Sequence, residues 1–313
     1  MIVLDQENRI FTLHTKHTTY QIKADQYDVL LHTYYGPRIN GADLSGLIQC
    51  AGRSFSPNPG QAGTNRAYSL DIMPQEYSTC GVGDFRLPSI ELELPSGSHT
   101  CDLRYCGVQK QKGKYTLNGL PAFFAGEAEA ETLIVHLNDA AAQVMVSLYF
   151  GVFKHLDLIT RAVKITNIGE KPVHLCRCAS LCLDFLRCDM DFITFDGHHL
   201  MERCLDRGPL RSGVQSVGSV RGASSHQHNS FVMLCDHNAD EDVGVCYGAM
   251  LLYSGNFEAA VECSQYENSR LVMGIHPYHF CWTLEPNGSF TAPEAAMCWT
   301  FPETMSGSIS TAS

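Results

Sequence analysis

The strongest constraint on the fold is a recurring pattern of short alternating runs bounded by turn residues. "TTYQIKAD", "IELELPSG", "TLIVHLND", "VMVSLYFGVF", "LITRAVKITNIGEKPVHLCRCASLCLDF" and "VGVCYGAMLLYSGNFEAAVECSQ" are rich in β-branched and aromatic residues. Gly, Asn or Pro separates them, which is how half-buried strands and their turns read. No segment keeps a helical period over eleven or more residues, and no repeat of 20 to 50 residues is present. The sequence therefore predicts an all-β chain. "TNIGEKP" reads as a hairpin connection in which Asn167 and Gly169 take positive φ. Two segments, roughly 36 to 88 and 195 to 230, resist strand assignment, and long loops on a sheet scaffold commonly carry function.

Composition narrows the partners. The chain has 313 residues, 44% hydrophobic, enough for one large β domain or two smaller ones. A formal charge of -11 and a pI near 5.6 argue against nucleic acid, which needs a clustered basic face. No stretch has the roughly 18 apolar residues of a membrane span. The start, "MIVLDQENRIFTLH", has neither a basic n-region nor an apolar h-region, which points to the cytoplasm. In that compartment all fourteen cysteines are expected to be reduced, mostly as small buried hydrophobes. The densest group is "CRCASLCLDFLRC", holding Cys176, Cys178, Cys182 and Cys188. Cys176 and Cys178 share a face on a strand, but no C-x-x-C pair occurs, so structural thiols are favoured over a metal site.

Several stretches resemble chemistry and read better as scaffold. "SSHQHNSF" holds His226 and His228, yet nothing in it supplies an orienting group, an oxyanion hole or further metal ligands. Glu258 and Glu262 share a strand face and read as solvated acids. "HPYHF" reads as a turn with partly buried imidazoles, because Pro277 interrupts regular structure. "GVGDFR" lacks the strand-to-helix context of a phosphate loop, and no cofactor motif is found. The 50–89 stretch mixes Phe55, Tyr68, Asp71, Glu76, Tyr77, Asp84, Phe85 and Arg86 among prolines and glycines. It suits either a surface connection or a sugar-facing loop of rings and carboxylates.

The distinctive stretches carry a resemblance. "NRAYSLDIMPQEYSTCGVGDFRLPSIELELPSG", "LNGLPAFF", "ITRAVKITNIG", "RGPLRSGVQSVGSVRGASSHQHNSF", "YGAMLLYSGNF" and "GIHPYHFCWTLEPNGSFTAPEAAMCWT" follow one another in the order and spacing of bacterial α-galactosidases of glycoside hydrolase family 36. The resemblance covers about residues 5 to 305. It implies an amino-terminal β-supersandwich of galactose mutarotase-like architecture over residues 1–300. A (β/α)8 barrel and a small carboxy-terminal β domain follow it in the family. "FPETMSGSISTAS", residues 301–313, drifts from the family pattern like a truncated tail. The family's two catalytic aspartates lie on the barrel, which is absent here, so no catalytic residue is expected in this chain. Hydrolysis of terminal α-galactosides such as melibiose and raffinose would belong to the full-length enzyme.

The resemblance also implies a homo-oligomer in the full-length form, in which loops of this domain wall a neighbour's sugar pocket. Two positions carry over. "GRSFSP" matches a family "D-R-x-F-S-P" stretch, so Gly52 stands at a sugar-binding aspartate. "GHHLMER" matches "G-A-W-x-R-E-R", so His199 stands at a substrate-facing tryptophan. Each change fits either drift or an altered aglycone preference. The family's "S-S-H-Q-x-N-P-F" makes "SSHQHNSF" scaffold. An α-galactoside is the implied substrate only together with a barrel; no cofactor, metal, nucleic acid or membrane is implied. An aldose epimerase-like enzyme and a stand-alone carbohydrate-binding or oligomerisation module are the alternatives. Without a barrel, Phe55, Tyr68 and Tyr77 are expected to leave apolar surface in water.

Overall fold

A computed structural model describes residues 1–48, 50 and 58–300. Four strands open the chain: β1 Ile2–Asp5, β2 Ile10–His14, β3 Thr18–Ala24 and β4 Leu30–Pro37. Short 3-10 turns at Ser45–Leu47 and Gly60–Ala62 lie in the segment that follows. Next come β5 Ile90–Glu93, β6 Arg104–Lys112, β7 Ala130–Asp139, β8 Val144–Phe153 and β9 Leu158–Asn167. The third group is β10 Val173–Phe185, β11 Asp191–His198, β12 Met201–Pro209 and β13 Gly213–Ser219. The last is β14 Phe231–Cys235, β15 Cys246–Leu252, β16 Phe257–Cys263, β17 Ser269–Ile275, β18 Trp282–Leu284, β19 Ser289–Thr291 and β20 Glu294–Thr300.

These strands form three antiparallel sheets, so the all-β reading holds. β1 to β4 form a meander; the second sheet runs β13-β16-β17-β10-β18 with β5 also on β10. The third runs β12-β11-β14-β15-β20-β9-β8-β7-β6 with β19 on β9. Inward-facing residues of all three meet in one core. Phe11, Tyr20 and Ile22 come from the first sheet, Leu181, Phe257 and Leu271 from the second, and Leu133, Phe150 and Val163 from the third. Alternation puts every second side chain inside, and burial of such a residue contributes roughly 1.5–3 kcal/mol.

Three expectations change. "TNIGEKP" is not a hairpin: β9 belongs to the ten-stranded sheet and β10 to the six-stranded one, so this stretch crosses between sheets. Its geometry rests on buried Asn167, whose Nδ2 donates to the Lys171 and Leu284 carbonyls at 2.8 Å each. Its Oδ1 accepts the Gly169 N–H at 2.9 Å, and neither Asn167 nor Gly169 has a positive φ. The 195–230 segment is mostly strand, covering the end of β11, all of β12 and all of β13. The cysteines are not all reduced either: Cys188 and Cys263, with Cα atoms 5.9 Å apart, form a disulfide, and the other twelve are free. The chain leaving β10 crosses the end of β17, where Ser269 Oγ donates to the Arg187 carbonyl at 2.7 Å, and this brings Cys188 to the end of β16.

Candidate functional site

From Tyr68 on, the 58–88 stretch is mostly buried, although Phe85 is 73% exposed. Asp71, Glu76, Asp84 and Arg86 turn inward, where arginines and carboxylates pair, while Arg66 stays at the surface. Glu76 is fully buried; its Oε1 pairs with Arg161 Nη1 at 2.6 Å, and its Oε2 accepts from the Tyr20 hydroxyl at 2.6 Å. Beside it, Arg270 bridges two acids, with Nε 2.6 Å from Asp184 Oδ1 and Nη1 2.8 Å from Asp84 Oδ2. Arg86 adds Nε to Asp84 at 2.9 Å and Nη2 to the Leu70 and Met73 carbonyls at 2.7 and 2.8 Å. The Gln75 backbone N–H donates to Asp184 at 2.9 Å. Tyr68 and Tyr77, expected at the surface, are 5% and 4% exposed. Tyr68 donates to Asp25, and Tyr77 donates to the Ala179 carbonyl at 3.1 Å.

The electrostatics of this cluster are structural. Burial pushes the Asp184 carboxyl up, but the Arg270 and Arg86 guanidiniums outweigh it, leaving its pKa below the ordinary 3.8. Burial alone would lower Arg270, and Asp184 and Asp84 more than reverse it. A general acid needs a raised pKa, and Asp184 has a lowered one.

A cavity of about 220 Å³ lies against the cluster, lined by His32, Tyr34, Tyr35, Pro74, Asp184, Phe185, Arg187 and Tyr247 among others. His32 Nδ1 and the Tyr35 hydroxyl are buried there without a hydrogen-bond partner. Polar atoms in a space of that size suit ordered water.

The other sequence candidates separate. "SSHQHNSF" does brace strands: Ser224 Oγ donates to the Tyr253 carbonyl at 3.1 Å, Ser230 Oγ donates to Leu251 at 2.9 Å, and His228 Nδ1 lies 2.6 Å from Asp196 Oδ1. His226 is exposed, and no group of three or more metal-ligating side chains occurs among the described residues. Glu258 and Glu262 are not free solvated acids. Glu258 pairs with Arg177 Nη2 at 2.6 Å, and Glu262 accepts the Leu87 N–H at 2.6 Å. "HPYHF" is a turn, with His279 at φ 57 and exposed, and His276 half-buried.

His199 sits at the tip of the β11–β12 hairpin. His198 pairs with Met201, so His199 and Leu200 form a two-residue turn, with Leu200 at φ 70. A left-handed φ is rare for leucine and suits a tight hairpin. His199 is exposed and Leu200 is 81% exposed, so the tip projects away from the sheet. Gly52 and Phe55 lie outside the described residues. The structure therefore does not bring Gly52 and His199 together into a described site.

Residues 28–285 match the family model described as the Glycosyl hydrolase family 36 N-terminal domain. The chain belongs to that family. Among family 36 relatives, it is 42% identical over 298 residues to the bifunctional alpha-galactosidase/sucrose kinase AgaSK of Mediterraneibacter gnavus, covering 95% of this chain and 32% of the relative. It is 38% identical to alpha-galactosidase AgaA of Geobacillus stearothermophilus, covering 95% and 41%. The solved galactosidase domain of AgaSK superposes with a TM-score of 0.94 at 41% identity, over 96% of this chain and 42% of that one. The chain thus spans about a third to two fifths of the length of the curated relatives it matches.

Sequence reasoning missed Arg161, Asp184 and Arg270. A signal was present: each is a lone charge inside an apolar run, in "LITRAV", "CLDF" and "SRLVMG". Buried charges of that kind are paired.

Proposed function

We propose that this domain serves an α-galactosidase as an assembly and pocket-shaping module, acting on α-galactosides only together with a catalytic barrel. In this reading residues 1–300 form the module and 301–313 a divergent tail. The observation that carries it is coverage: nearly the whole chain aligns, yet it spans only 32% and 41% of two α-galactosidase relatives. The buried carboxylates support it, since Asp84 and Asp184 are bound to Arg86 and Arg270 and have no role to offer a glycosidic oxygen. The substrate class follows from AgaA variants solved in complex with raffinose and with stachyose. The projecting His199 tip fits a role at a neighbouring subunit's sugar pocket in a homo-oligomer, with Gly52 as a second contact position. Both substitutions would weaken that contact, because glycine offers no acceptor and imidazole a smaller face than indole.

The test is an aryl α-galactoside assay on the purified chain, alone and fused to a relative's catalytic segment. We expect no turnover above blank from the chain and turnover from the fusion. Activity of the chain alone that survives repurification overturns the reading. Cytoplasmic residence belongs to the same reading and is checked by thiol counting after rapid alkylation in the cell. Because the structure bonds Cys188 to Cys263, cytoplasmic residence requires this pair to be found reduced in the cell, and an oxidised pair there overturns it.

A further inference from the structure

Cys176 and Cys281 lie one residue past the end of the β10–β18 ladder. That ladder pairs Val173 with Leu284, His174 with Thr283 and Leu175 with Trp282. One further step of that register, just past the end of β18 and where β10 slips against β5 on its other side, sets Cys176 opposite Cys281. Residues two apart share a face, and the preceding pair on that face already touches: His174 Nδ1 lies 3.1 Å from Thr283 Oγ1. Cys281 is also among the groups that perturb the Cys176 thiol, so the two thiols are neighbours. Directly opposed antiparallel residues have Cα atoms about 4.5–5.5 Å apart, inside the roughly 4.4–6.8 Å that a disulfide spans.

The two thiols differ in access. Cys281 is exposed and Cys176 half-buried. Burial, then Cys281 and the acids Glu93 and Glu91, push the Cys176 thiol up. An external reagent therefore meets Cys281 first, and Cys176 waits behind it. Other exposed thiols lack this arrangement. Cys204 is paired in register with Asp196, and Cys106 falls at the irregularity between Tyr105 and Gly107 in the β6–β7 ladder.

We propose that Cys176 and Cys281 form a reversible thiol-modification site for low-molecular-weight disulfides of the glutathione class, ending in a cross-strand disulfide. Cys281 gives its proton to solvent and attacks one sulfur of the external disulfide. The reagent's S–S bond breaks, a mixed disulfide forms on Cys281, and one reagent thiolate leaves. Cys176 then gives up its proton and attacks Cys281 Sγ. The Cys176–Cys281 bond forms and the second reagent thiolate departs. The protein loses two electrons and two protons, and the reagent becomes two thiols. An excess of reduced reagent reverses both steps.

A reporter adjoins the site. Trp282 follows Cys281 and is 50% exposed, and the only other tryptophan, Trp299, is buried. A disulfide quenches a neighbouring indole. The experiment equilibrates the reduced full chain with graded mixtures of reduced and oxidised glutathione, then alkylates, digests and weighs the peptides. We expect Cys176 and Cys281 to leave the alkylatable pool together as one linked peptide pair, with Trp282 emission falling over the same range. Cys106 and Cys204 should carry glutathione only. Cys176→Ser should strand Cys281 as a glutathione adduct. Should that variant not fold, Cys281→Ala tests the same step, leaving Cys176 alkylatable under oxidation. A wild-type chain that accumulates a stable glutathione adduct on Cys281 overturns the proposal. So does one that keeps both thiols alkylatable in the most oxidising mixture.

Discussion

Arg270 shows what a single buried charge does in this sandwich. It is fully buried and holds Asp184 and Asp84 together, so removing it leaves Arg86 to compensate two buried carboxylates alone. Breaking a buried pair by removing one partner costs about 3–5 kcal/mol. Arg270→Met should therefore lower the urea midpoint by an amount of that order, read by far-UV circular dichroism. The same cluster sets an acid limb. The folded Asp184 pKa lies below its ordinary 3.8, so its contribution is fully present above that value and is lost as pH falls through the folded one. Stability should decline on acidification below about pH 4, the region where this carboxyl titrates. Asp184→Asn, measured by denaturant titration from pH 6 to pH 2.5, should flatten that decline while lowering stability at neutral pH. Sequence could flag these residues as misplaced charges. It could not pair them, since Asp184 and Arg270 lie 86 residues apart.

At the scale of elements, β10 bridges the parts of its sheet. Its first half pairs with β5 and β18 and its second with β17, and the register slips at Leu175/Arg177 and at Ala179/Leu181. The second slip brings Ala179 against Gly274 of β17, where an added Cβ would lie 2.8 Å from the Ala179 Cα and the Cys178 carbonyl oxygen. Both are backbone atoms and cannot rotate away. Gly274→Ala should destabilise by about 1–3 kcal/mol, visible as a lower thermal midpoint, whereas Gly208→Ala, which has open space, should be close to neutral. Strands with one buried face were legible from alternation. β12 was not, because it is an edge strand paired only with β11 and exposed over most of its length, so "MERCLDRGP" has no inward side to reveal. "TNIGEKP" misled for another reason: turn residues report where a chain bends and not which sheet it enters.

At the scale of the molecule, the apolar surface lies only partly where the loop composition suggested, with Phe85 73% exposed. Tyr68 and Tyr77 are inside, and the exposed apolar residues include Leu200, Met201 and Leu205 on the β11–β12 hairpin. A long open edge carrying such residues is a template for pairing with another chain. The isolated chain should self-associate through β12, and Leu205→Lys should shift light scattering toward the monomer. An unchanged mass distribution in that variant would place the contact elsewhere. The family resemblance read in the sequence anticipated the sandwich because its motifs fall largely on strands and their connections. It could not show which surface the His199 tip meets, since that depends on what lies opposite the hairpin.

The bond between Cys188 and Cys263 has a further consequence for how the chain comes apart. It ties together positions 75 residues apart, and everything from β11 to β15 lies inside that closed ring, including the His199 tip. A protease that nicks the projecting tip would cut the ring without releasing a piece. The clipped protein should run as one band on a denaturing gel until a reducing agent is added, and only then as two. Loss of covalent continuity at the tip can thus pass unseen in any preparation judged without reductant.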